Sequence, residues 1–135
     1  MSLRSLMPFV LACSALACSS TLRDADTFRA DTGTRFTEKV AEMRACYDDL
    51  QKTRPGIRGT VTVSFTWEHE TGALQNLAVD PTASNAPEAV NECVRSSLSG
   101  LILAPADPAD GKGRWRFDFT PPAPVAPAAP VTAHE

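Results

Sequence analysis

The chain has 135 residues, 43% of them hydrophobic and 21% charged, with a formal net charge of −3. That balance is ordinary for one small folded domain with extensions. It excludes a basic footprint for nucleic acid, because the lysines and arginines are scattered and outnumbered, and no apolar run is long enough to cross a bilayer as a mature helix.

The first eighteen residues differ in kind from the rest. Arg4 gives a positive start, Leu6 to Leu16 form a short apolar stretch, and Ala15-Leu16-Ala17-Cys18 closes it, in the proportions of a secretory signal. Small residues running directly into a cysteine resemble the lipobox of bacterial lipoproteins, which implies that Cys18 becomes a lipidated N-terminus. Cys13, after Val10-Leu11-Ala12, fits the same pattern with a shorter apolar stretch, and an ordinary signal cut near Ala17 is the alternative to lipidation. Residues 1–18 are thus assigned as a lipoprotein signal with its lipidated cysteine. The expected location is the cell envelope, anchored by lipid and facing the periplasm. Ser19, rather than an aspartate, follows the anchor, which favours the outer membrane.

Residues 19–35 are rich in Thr, Asp and Arg without sustained periodicity, and read as a flexible linker. From Phe36 to Lys52, the residues Phe36, Val40, Met43, Cys46, Tyr47 and Leu50 follow the stripe of an amphipathic helix. Thr34 is its candidate N-cap, and Arg54-Pro55-Gly56 stops it. Gly59 to Trp67 (GTVTVSFTW) alternates strictly, with Val61, Val63, Phe65 and Trp67 on one side and Thr60, Thr62, Ser64 and Thr66 on the other. This is the period of a strand with one buried face. His69-Glu70-Thr71-Gly72 reads as a hairpin turn. A second strand follows at Ala73–Asp80, where Leu74 is out of phase with Leu77 and Val79 and points to a bulge or an early edge position.

Asn85-Ala86-Pro87-Glu88 has the chemistry of a helix start, with Asn85 as cap. The helix runs to about Ser99 on a stripe of Val90, Cys93, Val94 and Leu98, and Gly100 ends it. Leu101-Ile102-Leu103 is expected against the sheet edge, and Ala104 to Gly113 is expected as a loop. Arg114 to Phe119 (RWRFDF) alternates again, with Trp115, Phe117 and Phe119 inward and Arg114, Arg116 and Asp118 outward. Residues 120–135 are Pro/Ala-rich and read as a disordered tail.

The order is helix, strand, strand, helix, strand. A short turn makes the first two strands antiparallel, and a helical crossover returns the third strand parallel to the second. The predicted fold is α+β, a three-stranded antiparallel sheet of order 2-1-3 with two helices on one face. The domain spans residues 36–119 and has a small core. If Cys13 is removed and Cys18 carries lipid, Cys46 and Cys93 remain, in a compartment where disulfides persist. Each sits on the apolar stripe of a different helix. Either they form a disulfide or they are two buried thiols filling space in the core.

A helix carrying Cys46-Tyr47, a Pro-Gly entry, the GTVTVSF strand, a turn into TGALQNLAV, a helix with a second cysteine and a closing aromatic strand resemble the TonB C-terminal fold. The spacing is similar to the two-cysteine version at the ends of myxobacterial AgmX/PglI-type gliding-motility proteins. The resemblance covers roughly Phe36 to Phe119. It implies this fold, an envelope location and protein or peptide interaction by strand addition. It does not imply energised transport, because a lipid anchor replaces the family's N-terminal membrane helix.

Chemistry is sparse. No phosphate loop, nucleophile–base pair or cofactor motif is present in the sequence, so the reading is a protein without enzymatic activity, cofactor, resident metal or nucleic-acid partner. His69 between Glu68 and Glu70 reads as a solvated turn rather than a metal site, because neighbours on an extended chain point apart. Trp67 and Trp115 read as core rather than as a ligand platform. The last strand should be a sheet edge. Arg114, Arg116 and Asp118 there either guard it against aggregation or flank a site where a partner peptide adds. Two functions follow: an interaction domain on an envelope lipoprotein, tied to gliding motility or envelope assembly, or a purely structural envelope module with no peptide groove.

Overall fold

A computed structural model describes residues 21–123. The expected signal, the lipidated Cys18 and the tail from residue 124 onward lie outside the described residues. The elements are α1 (Ala25–Thr37), α2 (Val40–Thr53), β1 (Gly59–Trp67), β2 (Leu74–Val79), α3 (Glu88–Leu98) and β3 (Gly111–Phe119). The strands form an antiparallel sheet of order β2-β1-β3, as the alternation and connections predict. Helices cover one face.

The first difference from the sequence expectation is α1. The stretch expected as linker is helical from Ala25, capped by Asp24, whose carboxylate accepts the Thr27 amide at 2.8 Å. Phe28, Thr32 and Phe36 lie four residues apart and face the sheet, with Thr32 and Phe36 fully buried. Only two of those three are apolar, so no hydrophobic stripe announces the helix. Phe36 and Thr34, expected to begin the next helix, belong to α1, and the chain turns at Glu38 and Lys39 before α2 starts. Three helices therefore cover the sheet.

Phe36 is the centre of the core. Its ring lies 5.1 Å from Phe65, 5.5 Å from Trp115, and 5.9 Å from both Trp67 and Phe117, within the range where edge-on aromatic pairs attract. Val61, Val63, Val90, Val94 and Leu98 complete it with Met43 and Tyr47. Cys46 of α2 and Cys93 of α3 are joined by a disulfide, with Cα atoms 5.7 Å apart.

The start of α3 also differs from expectation. Pro87 occupies the cap position and makes no side-chain cap bond. The Asn85 carboxamide instead accepts the Thr60 amide at 2.7 Å, because β1 continues past the end of β2 and its backbone needs partners there. Ser84 serves the Thr62 amide in the same way. The bulge expected in β2 is present: two residues of β2, Asn76 and Leu77, stand opposite Phe65. Asn76 takes the left-handed conformation at φ 52° that such a bulge requires.

β3 begins three residues earlier than its aromatic alternation indicates. Gly111 and Gly113 pair with Trp67 and Phe65, and the rings of Phe28 and Phe65 occupy the space that Cβ atoms would take. The glycines are in the strand because neighbouring rings fill their places.

Candidate functional site

A sheet of three strands has two edges, and they differ here. At the outer edge of β2, the Leu74 amide donates to Leu101 O at 2.9 Å and the Leu103 amide to Gly72 O at 2.8 Å. The expected contact of Leu101–Leu103 with a sheet edge is thus present, at β2. The bulge at Asn76 twists what remains. Coverage and bulging both blunt an edge.

Among the described residues, the outer edge of β3 has neither. Its nine residues pair with β1 in unbroken register, from Gly59 opposite Phe119 to Trp67 opposite Gly111. Thr62 directs its carbonyl to Asp80 and its amide to Ser84, away from β3. By the alternation of an antiparallel ladder, Val61, Val63 and Phe65 then bond inward to Phe117, Trp115 and Gly113. The amides and carbonyls of Lys112, Arg114, Arg116 and Asp118 point outward. Among the described residues no backbone group bonds to them.

A groove of about 850 Å³ runs beside this edge between α2 and β3. Val40, Met43, Arg44 and Tyr47 form its helical wall, and Arg116 to Phe119 its sheet wall. Val40 is 39% exposed, unusually so for an aliphatic residue facing a core. A smaller hollow of about 510 Å³ continues the groove toward the start of β3, between Phe28 and Arg29 of α1 and Gly113–Arg116. Together they leave a shelf along the free edge whose helical side mixes Val40, Met43 and Phe28 with Arg44, Asp48, Gln51 and Arg29.

Arg114, Arg116 and Asp118 all stand on the helix-free face of β3, as predicted. The Arg116 Nε donates to Asp118 at 3.0 Å, and the Thr60 hydroxyl donates to the same carboxylate at 2.7 Å. The Arg116 guanidinium first, and the Thr60 hydroxyl second, hold the Asp118 carboxyl below its ordinary pKa. Arg114 reaches across β1 to pair with Asp80. These pairs are exposed and weak, and they leave the outward backbone groups uncovered. Lys112, Arg29 and Arg44 join the site without having been singled out in the sequence, and Val40, read there only as part of a helix stripe, joins it too. Lys112 was legible, since it extends the outward alternation of Arg114 and Arg116 by one step. The helical residues were not, because their place depends on how α1 and α2 pack.

The Glu68-His69-Glu70 turn gains a partner from β3's entry. His69 donates its amide to Asp110 at 3.0 Å, and its Nδ1 lies 2.7 Å from the same oxygen. That bond to Asp110 raises the His69 pKa and lowers that of Asp110. Glu68, His69 and Asp110 each place a ligand-type atom within 4.8 Å of the others. However, Glu68 already accepts the amides of Glu70 and Thr71 and the Thr71 hydroxyl. The arrangement is a latch between the β1–β2 turn and the start of β3.

No family model matches the chain, and no curated protein matches it. Among solved structures, the chain is similar to the solution structure of the TonB C-terminal domain of Helicobacter pylori. The similarity has a TM-score of 0.41 and 17% identity, and covers 76% of this chain and 98% of that one. No helix among the described residues is long and apolar enough to cross a membrane.

Proposed function

We propose that the chain is a lipid-anchored cell-envelope protein, without enzymatic activity, whose domain captures a protein by adding an extended segment of it to the outer edge of β3. One observation carries this reading: the nine residues of β3 form an unbroken edge beside a groove, and among the described residues the outward backbone groups of Lys112, Arg114, Arg116 and Asp118 are unpaired. Such an edge is a template for strand addition, in which main-chain bonds supply affinity and flanking pockets supply selectivity. The Cys18 lipobox motivates the anchor, and the resemblance to AgmX/PglI-type chain ends motivates a role in gliding motility or envelope assembly.

Arg116→Pro tests the reading. The Arg116 amide points outward, so proline there removes an edge donor without breaking the β1–β3 ladder, a position where strands tolerate it. A specific envelope protein should be recovered on the wild-type domain and lost on this variant while its circular dichroism is unchanged. The second reading, a structural module, draws on the Arg116–Asp118–Thr60 network as an edge guard. Full function of Arg116→Pro in cells would establish that reading and end the first.

A further inference from the structure

The charge around the free edge says what kind of segment fits it. Among the described residues, Arg23, Arg35, Lys39, Lys52, Arg95, Arg114 and Arg116 are ion-paired, whereas Arg29, Arg44, Arg54, Arg58 and Lys112 are not. Three of those five unpaired cations flank the edge of β3. Arg29 lies on the α1 side with Arg114 and Trp115, Arg44 lies on the α2 side with Arg116 to Phe119, and Lys112 is on the strand itself. Around the edge Arg29, Arg44, Lys112, Arg114 and Arg116 face the carboxylates of Asp48, Asp80 and Asp118, a positive excess in a chain that is acidic at −3 as a whole.

Register turns the charge into a pattern. On the helix-free face, Lys112, Arg114 and Arg116 stand two residues apart, and a strand added at the edge places side chains directly opposite them, within about 5 Å. On the helical face the same strand meets Trp115 and Phe117, both half-buried, and the exposed part of Val40. Successive side chains of an extended segment alternate between these two surroundings. Resting on the strand-addition reading above, we infer that the partner segment alternates apolar and acidic residues, with its carboxylates opposite Lys112, Arg114 and Arg116.

Two nearer occupants fit worse. The chain's own residues 120–135 carry one acid, Glu135, and prolines at 121, 122, 124, 127 and 130. Those prolines fall at both odd and even positions, so whichever parity faces β3, ladder donors are missing. A second copy pairing β3 against β3 antiparallel sets all three cations against cations when centred on Arg114. Centred on Trp115 or Arg116 it gains a contact with Asp118 but keeps Arg114 opposite Arg116 or Arg116 opposite itself, and registers free of such pairs overlap only the end of β3. Like charges directly opposite destabilise a strand pair.

Three acetylated seven-residue peptides provide the test, with valine alternating with glutamate, with threonine or with lysine. Each is titrated into the full chain at low salt, reading tryptophan fluorescence and hydrogen exchange of the amides of Lys112, Arg114, Arg116 and Asp118. The glutamate peptide should bind about tenfold or more tighter than the lysine peptide, protect those four amides, and weaken with added salt. Arg114→Glu with Arg116→Glu should reverse the preference; Lys112→Glu alone, at an exposed site, should shift it the same way if the double variant unfolds. Equal or tighter protection by the threonine or lysine peptide would overturn the acidic pattern and leave strand addition standing. No protection by any of the three would overturn both. Protection already present in the free chain would also overturn the inference. It would assign the tail if stopping the chain at Ala123 abolishes it, and a second copy if dilution does.

Discussion

The indole N–H of Trp67 donates to the hydroxyl of Thr32 at 3.0 Å, and both residues are buried. One belongs to the strand most plainly written in the sequence, the other to a stretch that reads as linker. A buried indole without a partner is costly, and this bond makes α1 part of the domain. Thr32→Val keeps the shape and removes the acceptor. It should lower stability by about 1–3 kcal/mol, read as a shift in the urea midpoint with unchanged slope. A change below a few tenths would show that α1 is not integral to the folded unit.

The Cys46–Cys93 disulfide closes a sequence separation of 47 residues. On the chain-entropy estimate a loop of that size contributes about 4 kcal/mol by restricting the unfolded chain. Replacing both cysteines with alanine should reduce stability by up to about that amount, and a reductant should do the same to the wild type while leaving the double variant unchanged. Non-reducing mass analysis checks the pairing.

Gly113 sits opposite Phe65, and a Cβ there would lie 2.6 Å from the tip of its ring. The ring fills the core and has little freedom to move. Gly113→Ala should therefore destabilise by about 1–3 kcal/mol through overpacking, despite alanine's better backbone propensity. Denaturation of the variant settles the sign.

The His69–Asp110 latch carries a pH dependence. The bond to Asp110 raises the pKa of His69 above 6.5 and lowers that of Asp110 below 3.8. A histidine raised on folding contributes below its unfolded pKa and loses that contribution as pH rises through its folded one. A carboxylate lowered on folding contributes above its unfolded pKa and loses that contribution as pH falls through its folded one. The latch is thus strongest between these limits, in mildly acidic solution. In an NMR titration His69 should show a midpoint above 6.5, returning toward that value in Asp110→Asn; no difference between the two proteins would remove the latch.

Anchoring is tested separately from the domain. Cys18→Ala should release the protein from the membrane fraction into the soluble periplasmic fraction. Retention on membranes would assign the anchor to another part of the chain.

The candidate site was only partly legible. Arg114, Arg116 and Asp118 were found because an edge strand with one wet face alternates by two, and that period is local. Arg29, Arg44 and Val40 reach the same edge from α1 and α2, and nothing in their own segments marks them for it. That β3 is an edge was expected from the connections; which of the two sheet edges would be covered was not legible. The covering follows from Leu101–Leu103 docking on β2 instead of β3, a choice between two distant strands.

By itself the sequence determined the strands, their order and the position of the cysteines, because side-chain alternation, turn length and helix stripes act over a few neighbouring residues. What only the tertiary structure decided was α1 and the docking of Leu101–Leu103 on β2 rather than β3. Thr32 and Gly33 look like linker residues until Trp67 and Trp115 lie against them. A polar or small residue gains its structural role from a partner far along the chain, and short-range periodicity carries no record of that partner.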